Sequence, residues 1–174
     1  MQEHRTGRLP AIAVCAVLVA GLAVQAQAAV GVGAELPDAT FTAVTGGAVR
    51  TADLRGKPTI IAFWATWCTS CKAELEHLRE IRAAHGEGQL RILAVSVDEE
   101  RETLDAFLAT HAYPFPVYHD PQRAAANKFV EDEDLPLTVV ADGQGVVKYV
   151  ARDFAEGAAA RLDQAVQQVL APSP

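Results

Sequence analysis

The sequence predicts an α/β domain: a mixed central sheet with helices on both faces, preceded by an N-terminal hairpin. Three observations carry this. A continuous apolar run at 59–65 leads into an amphipathic stretch and then a second apolar run at 90–97, the pattern of strand, helix and strand. Two β-rich segments near the C-terminus flank Asp142-Gly143-Gln144-Gly145, the pattern of a hairpin. The length of 174 residues, half of them hydrophobic, suits one domain with a real core.

The elements follow in chain order. Residues 1–28 read as an export signal and not as part of the fold. Arg5 and Arg8 form a short positive region, 9–24 is almost wholly apolar, and Ala26-Gln27-Ala28 offers a small-x-small cleavage site. An uncleaved membrane anchor is the alternative. The apolar run of about 16 residues is just short of the roughly 17–25 that a spanning helix needs, which favours cleavage. Cys15 lies within that run, after Val14, and makes no convincing lipoprotein signal. The domain is then 29–174.

Residues 29–37 are a Gly/Ala-rich lead-in. Residues 41–50 predict a short hairpin turning at Gly46-Gly47, and 54–58 a loop. The run TIIAFWA at 59–65 has no polar alternation, as in a strand buried on both faces. A helix is expected over about 69–85, where Cys71, Leu75, Leu78 and Ile81 form one apolar stripe and Gly86 and Gly88 stop it. A second buried strand at 90–97 completes a βαβ unit, whose crossover is right-handed almost without exception. Further helices are expected at 99–110 and 122–129, with a short extended piece at 115–118 between prolines. Strands at 137–141 and 146–151 form the hairpin. Ala158, Leu162, Ala165, Val166 and Val169 mark a last helix with one apolar face.

Charge excludes one class of function. The full chain carries a net charge of −7, and loss of 1–28 leaves 13 basic and 21 acidic side chains. No basic stripe is available for phosphates, so no nucleic-acid partner is expected.

Removal of 1–28 also leaves two cysteines, Cys68 and Cys71. The loop that they would close is too short to remove much unfolded-state entropy, so the pair is better placed for redox work than for stapling. Residues three apart on a helix share a face and come within disulfide range after small adjustment. Cys68 falls at the helix start, where unpaired N–H groups and the positive dipole end favour a thiolate, the reactive species. Cys71, one turn inside, would resolve the mixed disulfide. Zinc needs four ligands; no second CxxC exists, and His77 and His85 lie further down the helix, so no metal and no cofactor are expected. A purely structural disulfide is the remaining bland reading.

The segment FWATWCTSC between a buried strand and a helix resembles the thioredoxin superfamily, and its TlpA/ResA-like (DsbE/CcmG-type) branch most closely. LRGKP before the first buried strand, Glu74 three residues after the second cysteine, and Leu135-Pro136-Leu137-Thr138 before the hairpin carry the same resemblance. It spans roughly 33–170, and 99–129 matches that branch's insertion into the minimal fold. Thioredoxin handles the proton with an Asp on the strand before the motif; Ala62 stands there, and the helix Glu of the TlpA/ResA-like proteins matches Glu74. A partly buried Glu74 would have a raised pKa and take the proton of Cys71. By position alone it reads rather as a solvent-facing helix Glu, like Glu76 and Glu80; the resemblance is what favours the functional role. X–Pro bonds are mostly trans, so local sequence predicts a trans bond at Pro136; the resemblance implies cis, with the Leu135 backbone open to an extended substrate strand. Trp67 is expected at the surface as a contact plane and Trp64 in the core. The acids Glu131, Asp132, Glu133 and Asp134 read as a solvated loop, or as a device that repels acidic partners.

Two features depart from the family pattern. The dipeptide between the cysteines, Thr69-Ser70, lacks the common proline, and Glu76 stands where many relatives carry one. The resemblance implies a periplasmic dithiol reductant of exported, disulfide-containing proteins, with apocytochrome c first and copper-site proteins second, served by a membrane thiol donor. The other readings are a peroxiredoxin-like peroxidase, disfavoured because Ala65 and Ile61 hold the positions where that chemistry wants Thr and Pro, and a Cu(I) chaperone using the CxxC.

Overall fold

The computed structural model describes residues 29–130 and 134–171. The expected signal at 1–28 and the acids Glu131, Asp132 and Glu133 lie outside the described residues. Among the described residues no helix is long and apolar enough to cross a membrane.

A two-stranded antiparallel hairpin, β1 (Thr40–Thr42) and β2 (Ala48–Arg50), precedes a five-stranded sheet. The sheet is built from β3 (Thr59–Trp64), β4 (Arg91–Ser96), β5 (Val117–His119), β6 (Leu137–Ala141) and β7 (Val147–Ala151), in the order β5-β4-β3-β6-β7. β3 pairs in parallel with β4 and antiparallel with β6. Its central place explains its composition: every residue from Thr59 to Trp64 is buried, so no position can be polar toward water.

Helix α1 (Thr69–Gln89) connects β3 to β4, α2 (Arg101–Leu108) follows β4, and α3 (Ala158–Leu170) ends the fold. The stripe Cys71, Leu75, Leu78 and Ile81 is buried as its spacing predicts. α1 packs beside α3, and His77 links them, its Nε2 2.9 Å from Asp163 Oδ1. The other sheet face carries Phe63, which packs on Phe41 of the hairpin and on Phe129 after a 3-10 turn. The lead-in is held along β7, where the Gly33 amide donates to the Val147 carbonyl and the Val147 amide to that of Ala34.

Three expectations change in detail. The helix expected at 122–129 is only a 3-10 turn at Ala126–Lys128. Arg123 has a φ of +53° there, and Asp120 Oδ2 takes the amides of Ala125 and Ala126, so the segment closes around a side-chain acceptor instead of a helical ladder. A further 3-10 turn, Thr51–Leu54, lies between the expected hairpin and the expected loop and shares only Leu54 with the latter. Helix α1 breaks at Gly86 (φ +64°, ψ 167°), one of the two expected stops, and a last turn runs on to Gln89. No break occurs at Glu76.

Candidate active site

The site stands where β3 ends and α1 begins. β3 delivers the chain to a tight turn, closed by the Cys68 amide donating to the Ala65 carbonyl at 3.1 Å. Cys68 is the N-cap of α1, with extended backbone angles. Its Sγ accepts from the Cys71 amide at 3.2 Å, so the sulfur itself satisfies one of the unpaired donors of the first turn. Ser70 Oγ lies 3.6 Å from the same sulfur. A disulfide sulfur carries no proton, so the Ser70 hydroxyl is the donor. Donors gathered on one sulfur favour its thiolate when the bond opens.

The two cysteines form a disulfide, with their Cα atoms 5.3 Å apart. Their environments differ. Cys68 keeps 7% of its surface exposed and Cys71 none. Trp67, next to Cys68, is 68% exposed, whereas Trp64 is fully buried against Phe107. Trp67 borders a surface cavity of about 330 Å³ with Val97, Asp98, Glu99, Glu100 and Thr103.

Glu74 lies one turn beyond Cys71 and is 1% exposed, unlike the exposed Glu80 on the same helix. Its Oε1 accepts from the Thr138 hydroxyl, while Oε2 is buried with no hydrogen-bond partner among the described residues. Burial pushes the carboxyl up to about 7, against the Thr138 hydrogen bond and the charge of His77, which pull it down. A carboxyl that changes protonation near neutrality can accept and return a proton at ordinary pH. His77 is held in turn by Glu80 at 3.1 Å and by Asp163.

Thr138 reaches Glu74 because β6 runs antiparallel to β3, with Thr138 opposite Ala62. The same register starts β6 opposite Phe63, so Leu135 and Pro136 precede it at the end of the sheet from which the Cys68 turn leaves. The Leu135–Pro136 peptide is cis, as the resemblance implies and local sequence does not. Pro136 is buried and Leu135 half-buried against the core.

The site residues expected from sequence therefore gather around one turn. Two groups beside it were not singled out there. Thr138 had a weak signal, as the last residue of Leu-Pro-x-Thr. Asp98, which holds Thr66 beside the cysteines, had none: it reads as one more acid before Glu99 and Glu100.

Comparison with known proteins agrees with this geometry. The AhpC/TSA family model matches residues 32–150. The chain is 32% identical over 124 residues to the thiol-disulfide oxidoreductase ResA of Geobacillus kaustophilus, covering 71% of each protein. It is 29% identical over 126 residues to ResA of Bacillus subtilis, covering 71% of this chain and 69% of that one. In fold it is similar to a Chlorobium tepidum protein assigned as thiol:disulfide interchange protein DsbE, with a TM-score of 0.75, 23% identity, and coverage of 82% of this chain and all of that one. A secreted disulfide oxidoreductase of Mycobacterium tuberculosis gives a TM-score of 0.64 at 21% identity, over 75% of this chain and 95% of that one. With a disulfide-bonded CxxC at the strand-to-helix turn and these relatives, the chain belongs to the AhpC/TSA family and is a ResA-like thiol–disulfide oxidoreductase of the thioredoxin superfamily.

Proposed function

We propose that this protein is an exported dithiol reductant that opens disulfides in other exported proteins, by attack through Cys68, resolution through Cys71 and proton transfer through Glu74. The observation that carries the reading is the pairing of a slightly exposed sulfur at a helix N-cap with a fully buried one, one turn before a buried carboxyl poised near neutrality.

In the first step the Cys68 thiolate attacks one sulfur of a substrate disulfide. That bond breaks, a Cys68–substrate disulfide forms, and the released substrate thiolate takes up a proton. Glu74 then accepts the Cys71 proton. The Cys71 thiolate attacks the Cys68 sulfur, the second substrate thiol leaves, and the protein is left as the Cys68–Cys71 disulfide. Two electrons have passed to the substrate, and an external dithiol, such as a membrane thiol donor, must return them. The substrate segment would lie against the exposed Trp67 and pair with the Leu135 backbone, with the buried Pro136 shaping that backbone from behind. The leader-like 1–28 supports export with cleavage, and a solved relative of the same fold is itself secreted. Haem-binding CxxC segments of apocytochrome c, and copper-site cysteines after them, are the substrates proposed.

The test is trapping. Cys71→Ser in cells leaves the mixed disulfide unresolved, and covalent adducts on Cys68 should accumulate and be released by reductant. No adduct on a folded variant, or peroxide consumption by the reduced protein in place of disulfide exchange, would overturn the reading.

A further inference from the structure

A polar network ties together the ends of three strands beneath the redox turn. Asp98 follows β4 and is 2% exposed. Its Oδ1 and Oδ2 accept from the Thr66 amide at 3.1 and 3.0 Å, and Oδ1 also accepts from the Thr66 hydroxyl at 2.7 Å. The Ser96 hydroxyl donates to Oδ2 at 2.8 Å and accepts from the Asp98 amide at 3.1 Å. From the end of β5, His119 Nε2 lies 2.7 Å from the Asp98 carbonyl, to which it donates. Thr66 is two residues before Cys68 and lies inside the turn that the Cys68 amide closes. Every partner of the carboxylate is thus a donor, which suits an acceptor-only group.

We propose that Asp98 is a positioning residue for the redox pair: through Thr66 it fixes the turn that presents Cys68, and its buried carboxylate opposes negative charge on the Cys68 sulfur, favouring the disulfide and so biasing the protein toward giving electrons up. The inference rests on Cys68 being the attacking thiol. Two carboxylate oxygens held out of water act at low local dielectric, where a like charge nearby destabilises a thiolate. A dithiol whose reduced form is less stabilised is the stronger reductant. The network therefore works against the Ser70 hydroxyl and the Cys71 amide, which favour the thiolate. Other ionisable groups flank the turn in sequence or line the cavity: Lys72 and Glu74 on α1, Asp134 before Pro136, and Glu99, Glu100 and Arg123 around the cavity beside Trp67. They are common to the wild-type protein and its variants and drop out of the comparison.

The full-length protein is reduced, and the ionisation of Cys68 is read from its alkylation rate by iodoacetamide against pH. The thiol–disulfide equilibrium is read in glutathione buffers, and circular dichroism verifies the fold. Asp98→Asn keeps the shape and one accepting oxygen but removes the charge. It should move the Cys68 titration down by about half a unit or more and raise the reduced fraction at equilibrium by about threefold or more. Ser96→Ala strips a donor from the carboxylate, so it should move the titration the opposite way; this variant also decides the matter if Asp98→Asn does not fold. Opposite shifts support the proposal, since loss of packing alone has no reason to change sign. Folded variants that titrate as the wild type does, or that shift in the same direction, overturn it. If Cys68 of the wild-type protein reacts no faster than a free cysteine, the catalytic reading fails and this inference with it; if it reacts fast and the variants match it, this inference fails alone.

Discussion

Burial of Glu74 couples both stability and rate to pH. Its carboxyl moves from an ordinary 4.5 up to about 7, chiefly through desolvation. Between these values the folded protein holds a proton that the unfolded chain has released, so stability falls as pH rises through the window and is lowest above it. The shift corresponds to a cost of about 3 kcal/mol at pH 8. Urea unfolding of the oxidised protein at pH 5 and pH 8 should register a loss of that order, and Glu74→Gln should abolish most of it. Parallel losses in the two proteins would show that Glu74 is not the group responsible. The same substitution should slow resolution of the mixed disulfide by about tenfold or more and remove the inflection near neutrality from its pH profile. Equal rates at all pH values would remove Glu74 from the proton path.

At the scale of elements, α1 does two jobs on different residues. Its first turn presents Cys68, and its buried stripe and the His77–Asp163 contact fix it to the sheet and to α3. Its far end is anchored by Arg82, whose Nη1 donates to the Leu90 carbonyl at 2.9 Å as β4 begins. Between these anchors Gly86 turns the chain at φ +64°, ψ 167°, a conformation that is essentially glycine's alone. Gly86→Ala meets open space and therefore tests the backbone and not packing. It should cost about 1–3 kcal/mol in denaturant unfolding and leave disulfide exchange unchanged, being far along the helix from the cysteines. Undiminished stability would mean that the chain finds another route into β4.

Across the whole molecule, charge bears on which substrates are met. The chain carries −7, and Glu99 and Glu100 face the cavity beside Trp67. Reduction of a basic disulfide peptide should outpace that of an acidic peptide of equal length, by about tenfold at low ionic strength. The gap should close as salt shortens the screening length to about 8 Å or less. A salt-independent ratio would show that local contacts alone select the substrate.

The sequence by itself determined the order of elements and the place of the redox pair. Apolar period, glycine and proline breaks and the CxxC spacing are local quantities, and 59–65, the Cys71–Ile81 stripe and both hairpins were legible from them. Where a segment's hydrogen bonds went to a side chain, as with Asp120 and the turn at Ala126–Lys128, periodicity misled. Tertiary structure alone decided the burial of Glu74 and the contacts of Asp98. Glu74 and Glu80 are the same residue type on one helix; only Thr138, 64 positions away, and the sheet around it take water from the first and leave the second solvated. Asp98 meets Thr66 across 32 positions. Desolvation depends on what packs around a group in space, and one-dimensional spacing does not contain it.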